Sequence, residues 1–245
     1  MTISFSKLAF VASGSEIARK SCEELSRLYR GVAPAEADVI VALGGDGFIL
    51  ETIHRFLDHR KPVFGLNRGS VGFLMNEYRE AGLIERLAAA ETAALYPLRV
   101  RAAGRAGGTA TVLAFNEVSL LRRSRRMARI AVEIDGREYL DFAGDGIIVA
   151  TPSGSTGHNY SAGGPIIPLG SQVIALTPIS AFRPRRWRGA LLRHDSVIRL
   201  RSLAPACEPV GLEADHFEVA GIESVEIRED RSIAAEIMFD RDHGL

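Results

Sequence analysis

The sequence lacks the features that place a protein in an oxidising compartment or in a membrane. It has two cysteines, Cys22 and Cys207, far apart and outside any CxxC spacing, so they form neither a disulfide framework nor a zinc site. No apolar run approaches the ~20 residues that span a bilayer. The first residues lack the basic start and apolar stretch of a signal peptide. We therefore expect a soluble cytoplasmic protein with no membrane partner.

Net charge is also absent, because 30 Lys and Arg balance 30 Asp and Glu. No global field therefore attracts nucleic acid or anionic lipid, and Trp187 is the one tryptophan near the basic residues, so nucleic-acid binding is not expected. Two arginine clusters either steer phosphates or form a solvated loop or polar subunit interface, and we favour the second interpretation. The clusters are Arg122, Arg123, Arg125, Arg126 and Arg129, and Arg183, Arg185, Arg186 and Arg188.

Strands and helices alternate in the first part of the chain. A helix is predicted from a capping box at Ser13 and Glu16 to about Tyr29. Predicted strands cover 8–12, 38–43 and 62–66, and further helices follow Gly47 and cover 80–90. Strands separated by helices indicate an open sheet with right-handed crossovers. We predict an N-terminal Rossmann-like open α/β domain over residues 1–95.

Beyond Pro97, short alternating runs are separated by turns. The pair Asp135-Gly136 follows one such run and is a strong hairpin signal. This part of the sequence predicts a C-terminal antiparallel β-sandwich-like domain over 96–224, so the fold class is α/β plus β. The segment of about 225–245 is again strand-like and fits either domain by its pattern.

The sharpest local motif is Gly44-Gly45-Asp46-Gly47, at the end of a predicted buried strand. Ligands collect at that edge of an open α/β sheet, and glycines let the backbone approach a phosphate. A carboxylate repels phosphate, so Asp46 makes more sense facing a hydroxyl or a metal ion that bridges phosphates. A tight turn with a helix-capping aspartate explains the motif equally well.

Two common phosphate-binding motifs are missing. The sequence has no Gly-x-x-x-x-Gly-Lys-Ser/Thr segment, which excludes a P-loop. It also has no strict Gly-x-Gly-x-x-Gly, and the nearest match, 65–72, is spaced differently.

A second and longer motif runs from Gly144 to Pro165, where a strand opens into a loop rich in serine, threonine and glycine. Such a loop can line a flat heterocycle and its sugar, and long loops inside compact domains are usually functional.

Four segments occur in an order that resembles the NAD kinases over nearly the whole chain. They are Gly44-Gly45-Asp46-Gly47, Asn67 to Leu74, Asn116-Glu117 and Asp145 to Pro165. The first is shared with diacylglycerol and sphingosine kinases, whereas the last is far more particular to NAD kinases. The resemblance implies transfer of a phosphoryl group from ATP or polyphosphate to the 2′-hydroxyl of the adenosine ribose of NAD, giving NADP. It also implies that the C-terminal segment of about 225–245 returns to the first domain.

The resemblance assigns roles to individual residues. Asp46 would be the catalytic base, and Asn116 with Glu117 would hold ribose hydroxyls. Ser153, Thr156 and Gly157 would frame the adenine, and Asp145 and Ser161 would meet the nicotinamide end, often across a subunit boundary. Gly44, Gly45 and Gly47 would hold the donor phosphates together with Mg²⁺. The remaining residues expected in the dinucleotide site are Phe73, His158, Asn159, Tyr160 and Ser180, with Gly47 beside them.

Two positions depart from the family pattern. Phe48 stands where a threonine usually follows the glycine motif, so a hydroxyl that could help bind phosphate is missing. Gly157-His158 stands where the family commonly has Ala-Tyr. The imidazole of His158 either stacks on a base, over a smaller area than a phenol ring covers, or simply packs. Asp215-His216 receives no role.

The resemblance further implies a homodimer or homotetramer, with NAD and a nucleoside triphosphate as partners. Two rival functions remain. A lipid kinase of the diacylglycerol kinase type would have no reason to carry Asn116-Glu117 and the 156–161 segment. A non-catalytic NAD(P) sensor would be expected to have lost the acid, yet Asp46 is present.

Overall fold

The structure is a computed structural model that describes residues 5–69, 72–105 and 107–241. The chain divides into two compact units, Met1–Leu95 with Ala234–Leu245, and Tyr96–Ile233. The last segment of the chain therefore joins the first unit at Ala234. Residues 225–233, which the sequence analysis placed in that segment, belong to the second unit, because their strand pairs with two strands of that unit. No helix in the described part of the chain is long and apolar enough to cross a membrane.

The first unit is an open α/β sheet. The sheet has the order β1-β2-β3-β16-β4, in which β4 is antiparallel to β16 and the other pairs are parallel. Its elements are β1 (Leu8–Ala12), α1 (Glu16–Leu28), β2 (Val39–Gly44), α2 (Asp46–Phe56), β3 (Val63–Asn67), α3 (Leu83–Ala89), β4 (Glu91–Leu95) and, at the end of the chain, β16 (Ala235–Phe239).

Strand β2 is an inner strand of the sheet, between β1 and β3, and it has no polar face. All six residues of its Val-Ile-Val-Ala-Leu-Gly sequence are buried, as expected for a strand covered on both sides of a parallel sheet. Leu43 packs in one core with Leu25 of α1 and Phe64 of β3. Ile40 packs in a second cluster with Ala9 and Ala37.

Helix α1 begins two residues later than the capping box predicts. Its N-cap is Ser15, whose Oγ accepts a hydrogen bond from the Ala18 amide at 3.2 Å. Ser13 continues the strand instead, because its amide donates to the Leu43 carbonyl at 2.9 Å. The prediction of Ser13 as the cap was therefore wrong, although the helix itself is present.

Within the described residues, the second unit is one antiparallel sheet of eleven strands. Its elements are β5 (Leu98–Gly104), β6 (Thr109–Ala114), β7 (Glu117–Arg122), β8 (Ala128–Ile134), β9 (Arg137–Gly144), β10 (Gly146–Ala150), α4 (His158–Ser161), β11 (Val173–Ile179), β12 (Ala190–Arg193), β13 (Ile198–Ser202), β14 (Val210–Ala214) and β15 (Phe217–Glu229). The hairpin predicted at Asp135-Gly136 joins β8 to β9, and both residues have positive φ, 51° and 77°. Side chains from ten of these strands form one apolar core.

A buried amide ties the last strand of the chain into the first unit. Asn76 is fully buried, and its Nδ2 donates to the carbonyls of Gly65 and Met238, both at 3.0 Å. Its Oδ1 accepts from the Asp240 amide at 2.8 Å. Because Gly65 lies on β3 and Met238 on β16, this side chain links two strands that are distant in sequence.

We predict that Asn76→Ala lowers the free energy of unfolding by about 3 kcal/mol, because it removes three hydrogen bonds of a buried side chain. Urea unfolding monitored by circular dichroism measures the change. The exposed substitution Glu24→Ala serves as the control and should stay within about 0.5 kcal/mol of the parent. A loss for Asn76→Ala no larger than that of the control would show that the three bonds do not stabilise the sheet.

Candidate active site

The glycine motif turns β2 directly into α2 at the carboxyl edge of the parallel sheet. Gly44 ends the strand, Gly45 is the N-cap residue, and Asp46 is the first residue of the helix. The first internal hydrogen bond runs from the Phe48 amide to the Gly45 carbonyl at 2.9 Å. Because a helix leaves its first amides without an internal acceptor, the amides of Asp46 and Gly47 are suited to an anion.

The carboxylate of Asp46 is held by two consecutive backbone amides. Its Oδ2 accepts from the Phe73 amide at 2.8 Å and its Oδ1 from the Leu74 amide at 3.0 Å. Gly72 is required here, because a Cβ at that position would lie 2.5 Å from Asp46 Oδ1. An ionised carboxylate has about four lone-pair sites, so the anchored group can still accept a hydrogen bond from a ligand hydroxyl.

Phe48 occupies the space beside the first glycine of the motif. A Cβ at Gly44 would lie 2.7 Å from Phe48 Cβ, so the aromatic side chain packs directly over the end of β2. The unusual residue at this position is therefore part of the packing that shapes the turn.

Arg68 is a residue near the turn that the sequence analysis did not single out. Its amide donates to the Gly44 carbonyl at 2.7 Å. Its Nε donates to Ser21 Oγ at 2.7 Å, and its guanidinium carbon lies 3.5 Å from the ring centroid of Tyr78. Within the described residues the guanidinium forms no ion pair with a carboxylate.

A cavity of ≈ 430 Å³ opens beside Arg68, lined by Asn67, Arg68, Gly69, Met75, Asn76, Glu77 and Tyr78. The motif from Asn67 to Leu74 supplies three of these residues. Its members Ser70 and Val71 lie outside the described residues. A basic residue inside a glycine-rich loop after β3 was the signal that could have revealed Arg68.

In the second unit, Asn116 and Glu117 present two buried acceptors. Asn116 precedes β7, and Glu117 is its first residue. Asn116 Oδ1 and Glu117 Oε2 are buried, and neither atom has a hydrogen-bond partner in the described part of the chain. A buried polar atom without a partner costs about 1–3 kcal/mol, and hydroxyl groups of a ligand would supply the missing donors.

The environment of Glu117 favours its neutral form. Burial, which is the larger cause, and the negative charge of Asp215 together raise the pKa of this carboxyl to about 7. The side chain can therefore donate a hydrogen bond as well as accept one near neutral pH.

The loop after β10 is anchored from inside. Thr151 Oγ1 and Ser153 Oγ donate to the Phe115 carbonyl at 2.6 and 2.7 Å. Asn159 is fully buried, and its Nδ2 donates to the carbonyls of Ser155 and Pro165 while its Oδ1 accepts from Thr177. The side chains of Ser153 and Asn159, expected at the ligand, therefore hold the loop in shape.

Other residues of the same loop face outward. Thr156 is half-buried, whereas Gly157, His158, Tyr160 and Ser161 are exposed. A Cβ at Gly157 would lie 3.6 Å from Glu117 Oε2, so the loop passes close to the orphaned acceptor. His158 does not pack in the interior, which leaves its ring available to a ligand.

Asp145 and Ser180 lie together at the other end of β10. The Asp145 amide donates to the Ile179 carbonyl at 3.0 Å, and Ser180 follows directly. Glu117 pairs with Ala150, so Asp145 lies about 16 Å along the strand from Glu117, at roughly 3.3 Å per residue.

Members of the first arginine cluster pair with acids of the second unit. Arg122 Nε donates to Asp145 Oδ1 at 2.6 Å, and Arg129 pairs with Glu208 at 2.8 Å. Arg123 contacts Glu213 and Glu218. Three members of the cluster therefore hold carboxylates, and Arg122 holds one of the expected site residues.

We predict that the free energy of unfolding falls between about pH 4.5 and pH 7 by about 3 kcal/mol through Glu117. In that window the folded chain keeps the Glu117 proton and the unfolded chain loses it. Glu117→Gln, which cannot titrate, should lack this component, whereas the exposed Glu24→Gln should retain it. Urea unfolding at pH 5 and pH 7.5 tests this, and the same pH dependence in Glu117→Gln and the parent would contradict it.

Two family models match this chain, one in each of its two parts. Residues 3–91 match the model of the ATP-NAD kinase N-terminal domain, and residues 115–201 match that of the ATP-NAD kinase C-terminal domain. The NAD kinase of Xylella fastidiosa (strain Temecula1 / ATCC 700964) is 49% identical over 240 residues, covering 98% of this chain and 92% of that protein. The NAD kinase of Mesorhizobium japonicum is 46% identical over 244 residues, covering 99% and 95%.

Two solved structures share the fold. Yeast NADH kinase complexed with NADH superposes with a TM-score of 0.85 at 19% identity, covering 97% of this chain and 84% of that chain. An NAD kinase from Archaeoglobus fulgidus in complex with ATP gives a TM-score of 0.78 at 26% identity, covering 97% and 95%. Both domain models and near-complete coverage at almost half identity lead to one conclusion: the chain belongs to the NAD kinase family.

Proposed function

We propose that this chain transfers a phosphoryl group from ATP to the 2′-hydroxyl of the adenosine ribose of NAD, giving NADP. Relatives that match almost the full chain are named NAD kinase. The observation that carries the proposal is the pair of buried acceptors at Asn116 and Glu117, because a ribose supplies two neighbouring hydroxyl donors. The exposed part of the loop after β10, including Thr156, Gly157 and His158, would frame the adenine.

Asp46 would accept the proton of the attacking hydroxyl. The Phe73 and Leu74 amides fix both carboxylate oxygens, so the group is oriented before substrate arrives. Phosphoryl transfer proceeds through a loose transition state, in which positioning matters more than base strength. A fixed carboxylate that aligns the hydroxyl and takes its proton late meets that requirement.

The donor phosphates would bind at the glycine turn. The amides of Asp46 and Gly47 at the start of α2 suit an anion, and the Arg68 guanidinium lines the cavity at the same sheet edge. Arginine is suited to phosphate because its planar group donates two parallel hydrogen bonds. The Archaeoglobus NAD kinase was solved in complex with ATP, which supports a nucleotide donor.

The residues present fit a metal ion that arrives with the nucleotide. Within the described residues no group of three or more His, Cys, Asp or Glu side chains is placed to hold a metal ion. Mg²⁺ usually takes its ligands from substrate phosphates, water and one or two carboxylates, and Asp46 is the carboxylate at the turn. When bound, Mg²⁺ would neutralise charge on the phosphates.

The nicotinamide end and the assembly remain predictions. Asp145 is separated from Glu117 by the length of β10, which suits a residue that meets the far end of an extended dinucleotide in the same or a neighbouring subunit. We expect a homodimer or homotetramer, located in the cytoplasm. The lipid-kinase alternative is not favoured, because the curated relatives are NAD kinases throughout the chain.

The test is an assay of NADP formation from NAD with MgATP, and in parallel with Mg²⁺ and polyphosphate. NADP formed with MgATP supports the proposal, and comparison of the two donors gives the donor preference. Binding of NAD with neither donor used would favour the sensor, and phosphorylation of a diacylglycerol without NADP formation would favour the lipid kinase.

We predict that Asp46→Asn lowers kcat by about 10³-fold, within the range of general acid–base contributions. Calorimetry should give an NAD dissociation constant within a few-fold of the parent value, because the amide keeps one acceptor for the 73–74 backbone. Turnover within a few-fold of the parent would remove Asp46 from its role.

We predict that Arg68→Met raises the KM for ATP about tenfold, through loss of a charge-assisted contact, and leaves the KM for NAD within about twofold. Arg79, which pairs with Glu77 nearby, provides the control Arg79→Met, for which neither KM should change. Equal increases in both KM values for Arg68→Met would point to a general disturbance of the fold instead.

A further inference from the structure

Asp215 is tied to three consecutive backbone positions that lead into β7. It lies in the two-residue turn between β14 and β15. Its Oδ2 accepts from the Phe115 amide at 2.7 Å and its Oδ1 from the Asn116 amide at 3.0 Å. Its own amide donates to the Glu117 carbonyl at 3.3 Å. One residue distant in sequence thus sets the backbone that carries both orphaned acceptors.

The same backbone is held from the opposite side. The Phe115 carbonyl accepts from Thr151 and Ser153, and the Asn116 carbonyl accepts from the Thr151 amide at 2.9 Å. With amides engaged on one side and carbonyls on the other, residues 115–117 have little freedom to rotate. The side chains of Asn116 and Glu117 are therefore presented in a fixed direction before any ligand binds.

Asp215 also acts on Glu117 through its charge. Among the described residues it is the one group whose charge perturbs Glu117 appreciably. The loop 151–157, which packs against Glu117 from β10, carries no titratable side chain, and the residue at the next same-face position of β7 is Ser119. A like charge nearby disfavours ionisation, so Glu117 keeps its proton to a higher pH than an isolated carboxyl does.

Hydrogen bonding distinguishes the two carboxyl groups. Asp215 accepts two backbone amides, whereas Glu117 Oε2 is buried with no donor beside it in the described residues. Burial and the negative charge of Asp215 therefore favour the protonated form of Glu117. A protonated Glu117 can donate to a ribose oxygen and still accept from a ribose hydroxyl.

We propose that Asp215 is a positioning residue for the dinucleotide: it fixes the backbone that presents Asn116 and Glu117 to the ribose, and its charge acts on the Glu117 carboxyl. This inference rests on the proposed function, in which that pair holds ribose hydroxyls. It assigns to the β14–β15 turn a part in NAD recognition, without contact between Asp215 and the reacting atoms.

The test measures the NAD dissociation constant by calorimetry from pH 5.5 to pH 8.5, together with the KM values for NAD and ATP. In the parent, NAD affinity should fall as the pH rises through about 7. Asp215→Asn removes the charge and one of two acceptors, so the midpoint should move down by about half a pH unit or more. The KM for NAD at pH 7.5 should rise about tenfold and the KM for ATP should stay unchanged.

Glu213→Gln is the matched control, because Glu213 lies on β14, two positions before Asp215, and pairs with Arg123. Its pH midpoint should equal that of the parent. A purely structural role for Asp215 would weaken NAD binding equally at every pH, and an unmoved midpoint in Asp215→Asn would overturn the proposal.

A second variant keeps the test decisive if Asp215→Asn does not fold. Glu117→Gln carries a neutral side chain that both donates and accepts hydrogen bonds. The NAD dissociation constant of this variant should therefore vary by less than about threefold over the same pH range. A midpoint near pH 7 that persists in Glu117→Gln would overturn the proposal. If the parent binds NAD with this pH dependence yet makes no NADP, the proposed function fails while the role of Asp215 stands.

Discussion

The structure depends, in each of its two units, on one carboxylate that accepts two consecutive backbone amides. Asp46 holds the amides of Phe73 and Leu74 in the first unit, and Asp215 holds those of Phe115 and Asn116 in the second. Hydrogen bonds to a charged acceptor are stronger than neutral ones. Each acid therefore fixes a loop within its own unit, and each loop carries residues that the proposed function uses.

Asp46 and Asp215 differ in the part that each plays in the proposed function. Asp46 is itself the proposed reactive group, so its anchoring orients a carboxylate toward an incoming hydroxyl. Asp215 is bonded to the backbone of residues 115–117, and the side chains proposed to meet the ligand are those of its neighbours, Asn116 and Glu117. The unsatisfied atoms of that pair are a cost to the unliganded fold, and such a cost is offset when a ligand supplies the missing donors.

The sequence predicted the parts of the fold and site that short-range patterns determine. The buried run of β2, the glycine motif and the Asp135-Gly136 hairpin follow from local composition, and the family was identified from motif order. Ser15 as the cap was missed because Ser13 is engaged by Leu43 of the neighbouring strand. Arg68 beside the turn and the bonds of Asp215 were missed because their partners are distant in sequence: Asp215 lies 99 residues from Asn116, and no periodicity connects them. The burial of Ser153 and Asn159 is likewise a tertiary property, and their place at the ligand stays a prediction.

The central claim is that Asp46 is fixed within reach of the ribose 2′-hydroxyl. A crystal structure of the protein with NAD bound measures this directly. The account predicts an oxygen–oxygen distance of about 2.6–3.2 Å between the Asp46 carboxylate and the 2′-hydroxyl, with the amides of Phe73 and Leu74 still bonded to the same carboxylate. NAD bound with its adenosine ribose directed away from Asp46, and that carboxylate bonded only to the backbone, would contradict it.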